Sequence, residues 1–85
     1  MSISRQIDAY LRHLTVERGM SKNTLAAYRR DLNRYEQFLT ERSIDSVETI
    51  SELIVGDCGI ALTAKWGLAA TSVARVLSGV RGFHR

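Results

Sequence analysis

Arg30 and Arg34 stand one helical turn apart in the stretch AAYRRDLNRYEQFL. Like charges at that spacing destabilise a helix by about 0.2–0.5 kcal/mol. An anionic partner would relieve the repulsion, and so would screening by the adjacent Asp31. Ala26, Arg30, Asn33, Arg34 and Gln37 share one helix face, and guanidinium and amide groups are suited to phosphates and base edges. Just upstream, Ser21, Lys22, Asn23 and Thr24 open the same helix, whose first N–H groups are free to meet a phosphate. Near the other end of the chain, Thr71, Ser72 and Arg75, joined by Arg81, make a second polar set. The chemistry these types suggest is recognition of an anion.

Nothing comparable points to catalysis. His13 and His84 are the only histidines, and neither belongs to a cluster with metal-ligand spacing. Cys58 is the only cysteine, which excludes an internal disulfide and a Cys-rich zinc site; it reads as a small buried hydrophobe. Glu36, Glu41, Asp45, Glu48, Glu52 and Asp57 read as a solvated face. Tyr10, Tyr28 and Tyr35 lie on apolar stripes, where they pack. No catalytic residue, cofactor, metal or small-molecule ligand is expected.

Charge is segregated along the 85 residues. Residues 1–34 hold seven basic and three acidic groups, residues 35–64 one basic and six acidic, and residues 65–85 four basic and none acidic. If the two basic segments meet in space, one face is positive and another negative. No apolar run approaches the roughly 18 residues of a membrane span. The N-terminus lacks the apolar core of a signal peptide, so a cytoplasmic chain is expected.

The elements that must carry these residues are helical, since apolar residues recur at i, i+3 and i+4 in four segments. The first runs from about Ser4 to Arg18 on Ile7, Tyr10, Leu11 and Leu14, with Ser2 or Ser4 as cap and Gly19 as stop. The second runs from about Lys22 to Arg42, capped by Ser21, on Leu25, Tyr28, Leu32, Tyr35 and Leu39, with Phe38 at the margin. The third, from about Ile50 to Lys65, carries Ile50, Leu53, Ile54, Cys58, Ala61 and Leu62, with Val47 and Trp66 at either end of the same periodicity. Each of its two glycines costs roughly 1 kcal/mol in a helix interior, so a bend or break near Gly56–Gly59 is expected. The fourth starts near Ala70 and buries Val73, Val76, Leu77, Val80 and Phe83. Its other face is small-residued, with Thr71, Ala74, Arg75, Ser78 and Gly82, and Gly79 at the edge. Arg75 is expected to be exposed there, so that its loss would leave the fold nearly intact.

The segment YLRHLTVERGMSKNTLAAYRRDLNRYEQFL resembles the N-terminal core-binding domain of tyrosine recombinases of the XerC/XerD type: the ERG turn, the S-x-N-T helix start, the A-Y-R-R-D-L block and the aromatic-rich helix end are shared. GLAATSVARVLSGVRGFHR resembles the last helix of the same domain, which commonly reads G-L-S-x-x-S/T-I-x-R-R-L-S-A-L-R-S-F-F/Y-R. Ala69 stands for a common serine, Val76 for the second arginine, and Gly79 and Gly82 for alanine and serine. The resemblance implies an all-α, four-helix SAM-like orthogonal bundle over residues 1–85. It implies sequence-directed binding of a double-stranded DNA recombination site, as the clamp domain of a site-specific recombinase that assembles with other subunits into a tetramer on DNA. Chromosome dimer resolution would be the role in XerC/XerD proper. The DNA-contacting positions that carry over are Ser21, Lys22, Asn23, Thr24, Arg30, Arg34, Thr71, Ser72 and Arg75. The family's catalytic residues belong to a separate C-terminal domain and none maps onto this chain, so the fragment itself is expected not to be an enzyme. The alternative reading of the charge pattern is a helical protein-interaction domain with no DNA role.

Overall fold

A computed structural model describes residues 3–84. They form four α-helices, α1 (Ile3–Arg18), α2 (Lys22–Glu41), α3 (Glu52–Ala64) and α4 (Ala70–His84), with a single 3-10 turn (Val47–Thr49) before α3 and no strand among the described residues. The all-α expectation holds. α2 is the spine: its 20 residues span roughly 30 Å, and α1, α3 and α4 all pack on it, while α3 also packs on α4.

The ends of the helices follow from local chemistry. Ser21 caps α2 by accepting a bond from the Thr24 N–H at 3.2 Å, and Ser51 does the same for Ile54 at 3.4 Å at the start of α3. α1 and α3 both stop at a glycine in the left-handed region, Gly19 at φ 58° and Gly67 at φ 64°. The N–H just beyond each glycine returns to a carbonyl six residues back, Met20 to Leu14 and Leu68 to Leu62. Ser2 lies outside the described residues, and Ser4 sits within the first turn of α1, so Ser4 is not its cap.

The core joins Ile3, Ile7, Leu11 and Leu14 of α1 to Leu32, Tyr35, Phe38 and Leu39 of α2, Val55, Cys58 and Leu62 of α3, and Val76 and Val80 of α4. Cys58 is fully buried, and that burial pushes its thiol up to about 11, so it is an unreactive hydrophobe.

α3 departs from expectation twice. It is unbroken through both glycines. A Cβ at Gly59 would come to 3.1 Å from the Leu77 side chain of α4, so the glycine there eases the close approach of the two helices. Its inward face is also shifted. Leu53 is 82% exposed and Ile60 69%, while Val55 and Gly59 are buried. α3 is apolar around most of its circumference, so periodicity could not choose the face; contact with α4 at Gly59 does.

The small residues of α4 divide as well. Thr71, Ala74 and Ser78 are exposed. Gly79 is buried against the Tyr28 ring, and a Cβ at Gly82 would come within 2.7 Å of the Tyr10 hydroxyl. These two glycines therefore serve close helix packing, not the outer face. Val76 is fully buried, so the position that is an arginine in the related motif contacts only core here.

Candidate nucleic-acid interface

The seam between α2 and α4 carries the arrangement that sequence reasoning reached only in part. Asp31, the residue between the flagged arginines, points inward, with its side chain 1% exposed. It lies seven residues before Phe38 and so occupies the same margin of the apolar stripe. Arg75 reaches it from α4: Nε donates to Oδ2 at 2.9 Å and Nη2 to Oδ1 at 3.0 Å. This is a two-pronged guanidinium–carboxylate pair, the strong form of charge-assisted hydrogen bond. On its own helix, Arg34 brings Nη1 to 3.6 Å from the same Oδ1. One buried carboxylate thus serves two guanidinium groups from two helices. Asp31's hydrogen bonds and charge hold Arg75 more firmly protonated than an ordinary arginine.

Arg75 is accordingly a structural partner as well as a surface group. Its side chain is 48% exposed, yet removing it would leave the buried Asp31 with only the longer Arg34 contact. The expectation that loss of Arg75 spares the fold is corrected on this ground. The proximity of Arg30 and Arg34 also has a local explanation. Asp31 draws Arg34 aside, while Arg30 is exposed and makes no ion pair among the described residues.

The remaining positions are spread along the two helices. Ser21 and Thr24 are exposed, but their side chains are engaged with each other: the Ser21 hydroxyl donates to Thr24 Oγ1 at 2.9 Å while capping the helix. Lys22 and Asn23 are exposed at the same end, about 17 Å along α2 from Arg34 by helix geometry. Lys22 lines an open groove between α1 and α2 with Arg12 and Arg29, neither of which the sequence singled out. Across it Arg29 pairs with Asp8 at 3.1 Å. Thr71 is exposed and Ser72 half-buried in the first turn of α4. Arg81 belongs elsewhere: it lines a groove at the start of α3 with Val47, Ile50, Glu52 and His84. The structure therefore brings Arg34 and Arg75 together and leaves the Ser21–Thr24 group apart from them.

The histidines are accounted for without chemistry. His13 is exposed on α1. His84 lies 2.6 Å, through Nε2, from the hydroxyl of buried Tyr35. Burial raises Tyr35 well above the ordinary phenol value and lowers His84, which favours the neutral form of both partners of this hydrogen bond. No group of histidine, cysteine or acidic residues among the described residues has the arrangement of a metal site. None of the described helices is long and apolar enough to cross a membrane.

A family model described as phage integrase, N-terminal SAM-like domain, matches residues 7–85. The tyrosine recombinase XerD of Mycobacterium tuberculosis is 42% identical over 90 residues, which cover 99% of this chain and 29% of the relative. The tyrosine recombinase XerD of Staphylococcus aureus is 38% identical over 79 residues, covering 93% of this chain and 26% of the relative. The chain thus spans under a third of the length of these curated relatives. No solved structure matches it.

Proposed function

We propose, for a chain that belongs to the phage integrase N-terminal SAM-like domain family, that α2 and α4 form a face that grips duplex DNA at a recombination site. In this reading residues 1–85 are the core-binding clamp of a site-specific tyrosine recombinase. Strand cutting belongs to a different part of the protein, and further recombinase subunits share the DNA. Chromosomal DNA as partner places the protein in the cytoplasm. Arg30, Arg34 and Arg75 supply the phosphate contacts of the central part of the face. Ser21, Lys22, Asn23 and Thr24 supply those at the start of α2, and Thr71 and Ser72 those at the start of α4.

The observation that carries the reading is the excess of cations on the α2–α4 seam. Asp31 neutralises one of the two arginines it touches, and Arg30 stands beside them without a carboxylate. A face that existed only to join two helices would need no such surplus. Membership of the family and likeness to two recombinases favour this reading over a protein-interaction domain.

The test is a titration of the chain against a short duplex across a series of salt concentrations. Neutralising ~4–6 phosphates would give a log–log slope of roughly −4 to −5. A slope near zero would sink the DNA face. With supercoiled plasmid carrying the site, the chain should produce neither nicks nor a covalent adduct; a tyrosine-linked adduct would overturn the assignment of cutting to another part of the protein.

A further inference from the structure

We propose that Asp31 is a positioning residue for DNA binding: its buried carboxylate gathers Arg75 and Arg34 into one preset pair of guanidinium groups that receives a backbone phosphate. The inference rests on the DNA-binding reading above and adds a role for an acid to it.

The reasoning starts from a contradiction of sign. A carboxylate on a face that binds polyanions works against binding through its charge. Asp31 nonetheless sits between Arg30 and Arg34 in sequence and beneath Arg75 in space. What it contributes instead is geometry. A guanidinium has five N–H donors in a fixed plane. Asp31 engages the edge formed by Nε and Nη2 of Arg75, so the other edges stay free, and the side chain is half exposed. The free edge can take two oxygens of a phosphate without rotation of the group. Arg34, whose side chain is 27% exposed, is held at the same Oδ1. Two cations that would repel each other are thereby kept together on one anchor. Ordering them in the free protein removes the side-chain entropy that binding would otherwise cost. Because Asp31 is fixed in the core margin of α2 and Arg75 comes from α4, the pair also reports the correct seating of one helix on the other.

Simple electrostatics and positioning predict opposite outcomes for Asp31→Asn. Removing a negative charge from a DNA face should tighten binding. Losing the anchor should weaken it, by roughly fivefold to tenfold at fixed salt, because phosphate contacts by both arginines are loosened. Arg75→Lys supplies an independent arm: it keeps the charge and can still pair with Asp31, but it lacks the planar fork. Positioning predicts weaker binding for Arg75→Lys as well, and less than the full additional loss when Asp31→Asn is added to it, because only the Arg34 contact is then left to loosen.

The measurement is fluorescence anisotropy of a labelled duplex with the parent chain, the two single variants and the double variant, each checked by thermal melting. Weaker binding by both singles, with a double that loses less than the two factors multiplied, supports the proposal. Equal or tighter binding by folded Asp31→Asn overturns it. So does a double that loses the same factor again, since Asp31 would then act independently of Arg75. If Asp31→Asn is unfolded at the assay temperature, Arg75→Lys decides, and parent-like affinity there overturns the proposal. Failure of the parent itself to bind any duplex is a different result: it removes the DNA-binding reading, and this inference with it.

Discussion

Of the regions that pair arginine or lysine with carboxylates, two do so in opposite ways. On the α2–α4 seam one buried aspartate is shared by Arg75 and Arg34. Where the end of α2 meets α3, Arg42 pairs with Asp57 at 3.1 Å and Lys65 bonds to Glu41, all four side chains being about half exposed. The second region is balanced, one cation to one acid, and its cations also lie over aromatic rings, Arg42 over Phe38 and Lys65 over Trp66. The first has surplus positive charge and a carboxylate that cannot turn to water. Burial is what separates them. Exposed pairs are each worth ~0–1 kcal/mol and can come and go, whereas a buried carboxylate fixes whatever neutralises it. The balanced region closes a corner of the fold; the surplus region is left able to take an anion.

The largest expected effect is that of Arg75→Ala. It strands Asp31 in the seam, and the loss of a charged, two-pronged bond to a buried group costs about 2–3 kcal/mol. It should also weaken duplex binding by about 1–3 kcal/mol. Urea unfolding measures the first and anisotropy titration the second. A parent-like melt would show that Asp31 finds solvent or Arg34 unaided, and the contrast between the two regions would disappear.

The seam has a second polar contact, the partly buried one of Tyr35 to His84, and it predicts a pH dependence. Burial lowers His84 below its unfolded value, with Glu52 opposing. The unfolded chain therefore takes up a proton before the folded one does. The stability from this group is fully present above the unfolded value of about 6.5 and declines as pH falls from there toward the lower folded value. Urea midpoints at pH 7.5 and pH 5.5 should differ in the parent, and the difference should shrink in His84→Phe. An equal difference in both would assign the pH dependence to other groups.

Much of this was legible in the sequence, for reasons that can be named. α2 was readable from end to end because its apolar residues occupy one stripe and Ser21 stands at its start. α3 was not, because Leu53, Ile54, Val55 and Ile60 offer apolar surface in every direction and only contact with α4 picks a face. The arginines of the site could be found by type and spacing. Their partner could be found only by asking which margin of the stripe Asp31 occupies, and its link to Arg75 crosses 44 residues of chain, beyond any local pattern.

A smaller effect tests why α3 tolerates its glycines. A Cβ at Gly59 would crowd Leu77 at 3.1 Å, but nothing lies within 4 Å of a Cβ built at Gly56. Gly56→Ala should stabilise the domain by about 0.5–1 kcal/mol through helix propensity alone. It adjoins the balanced region without touching its pairs, so duplex binding should stay as in the parent. A fall in thermal midpoint would mean that the exposed side of α3 is more crowded than its surroundings indicate.

The smallest expected effect is that of Glu41→Gln, and it is the sharpest check on the comparison because so little should happen. Lys65 holds the Glu41 carboxyl below its ordinary range through a hydrogen bond, with Gln37 adding a weaker one. Both partners face water, so Lys65 is resolvated once the charge is gone, and glutamine keeps an oxygen to accept its hydrogen bond. The change in stability should be too small to shift the urea midpoint measurably. Loss of an acid remote from the seam should leave duplex affinity unchanged or slightly raised, since at ordinary salt its field is screened within about 8–10 Å. A destabilisation comparable with that of Arg75→Ala would mean that the exposed pairs are coupled into a network of their own. Burial would then not be what distinguishes the two regions.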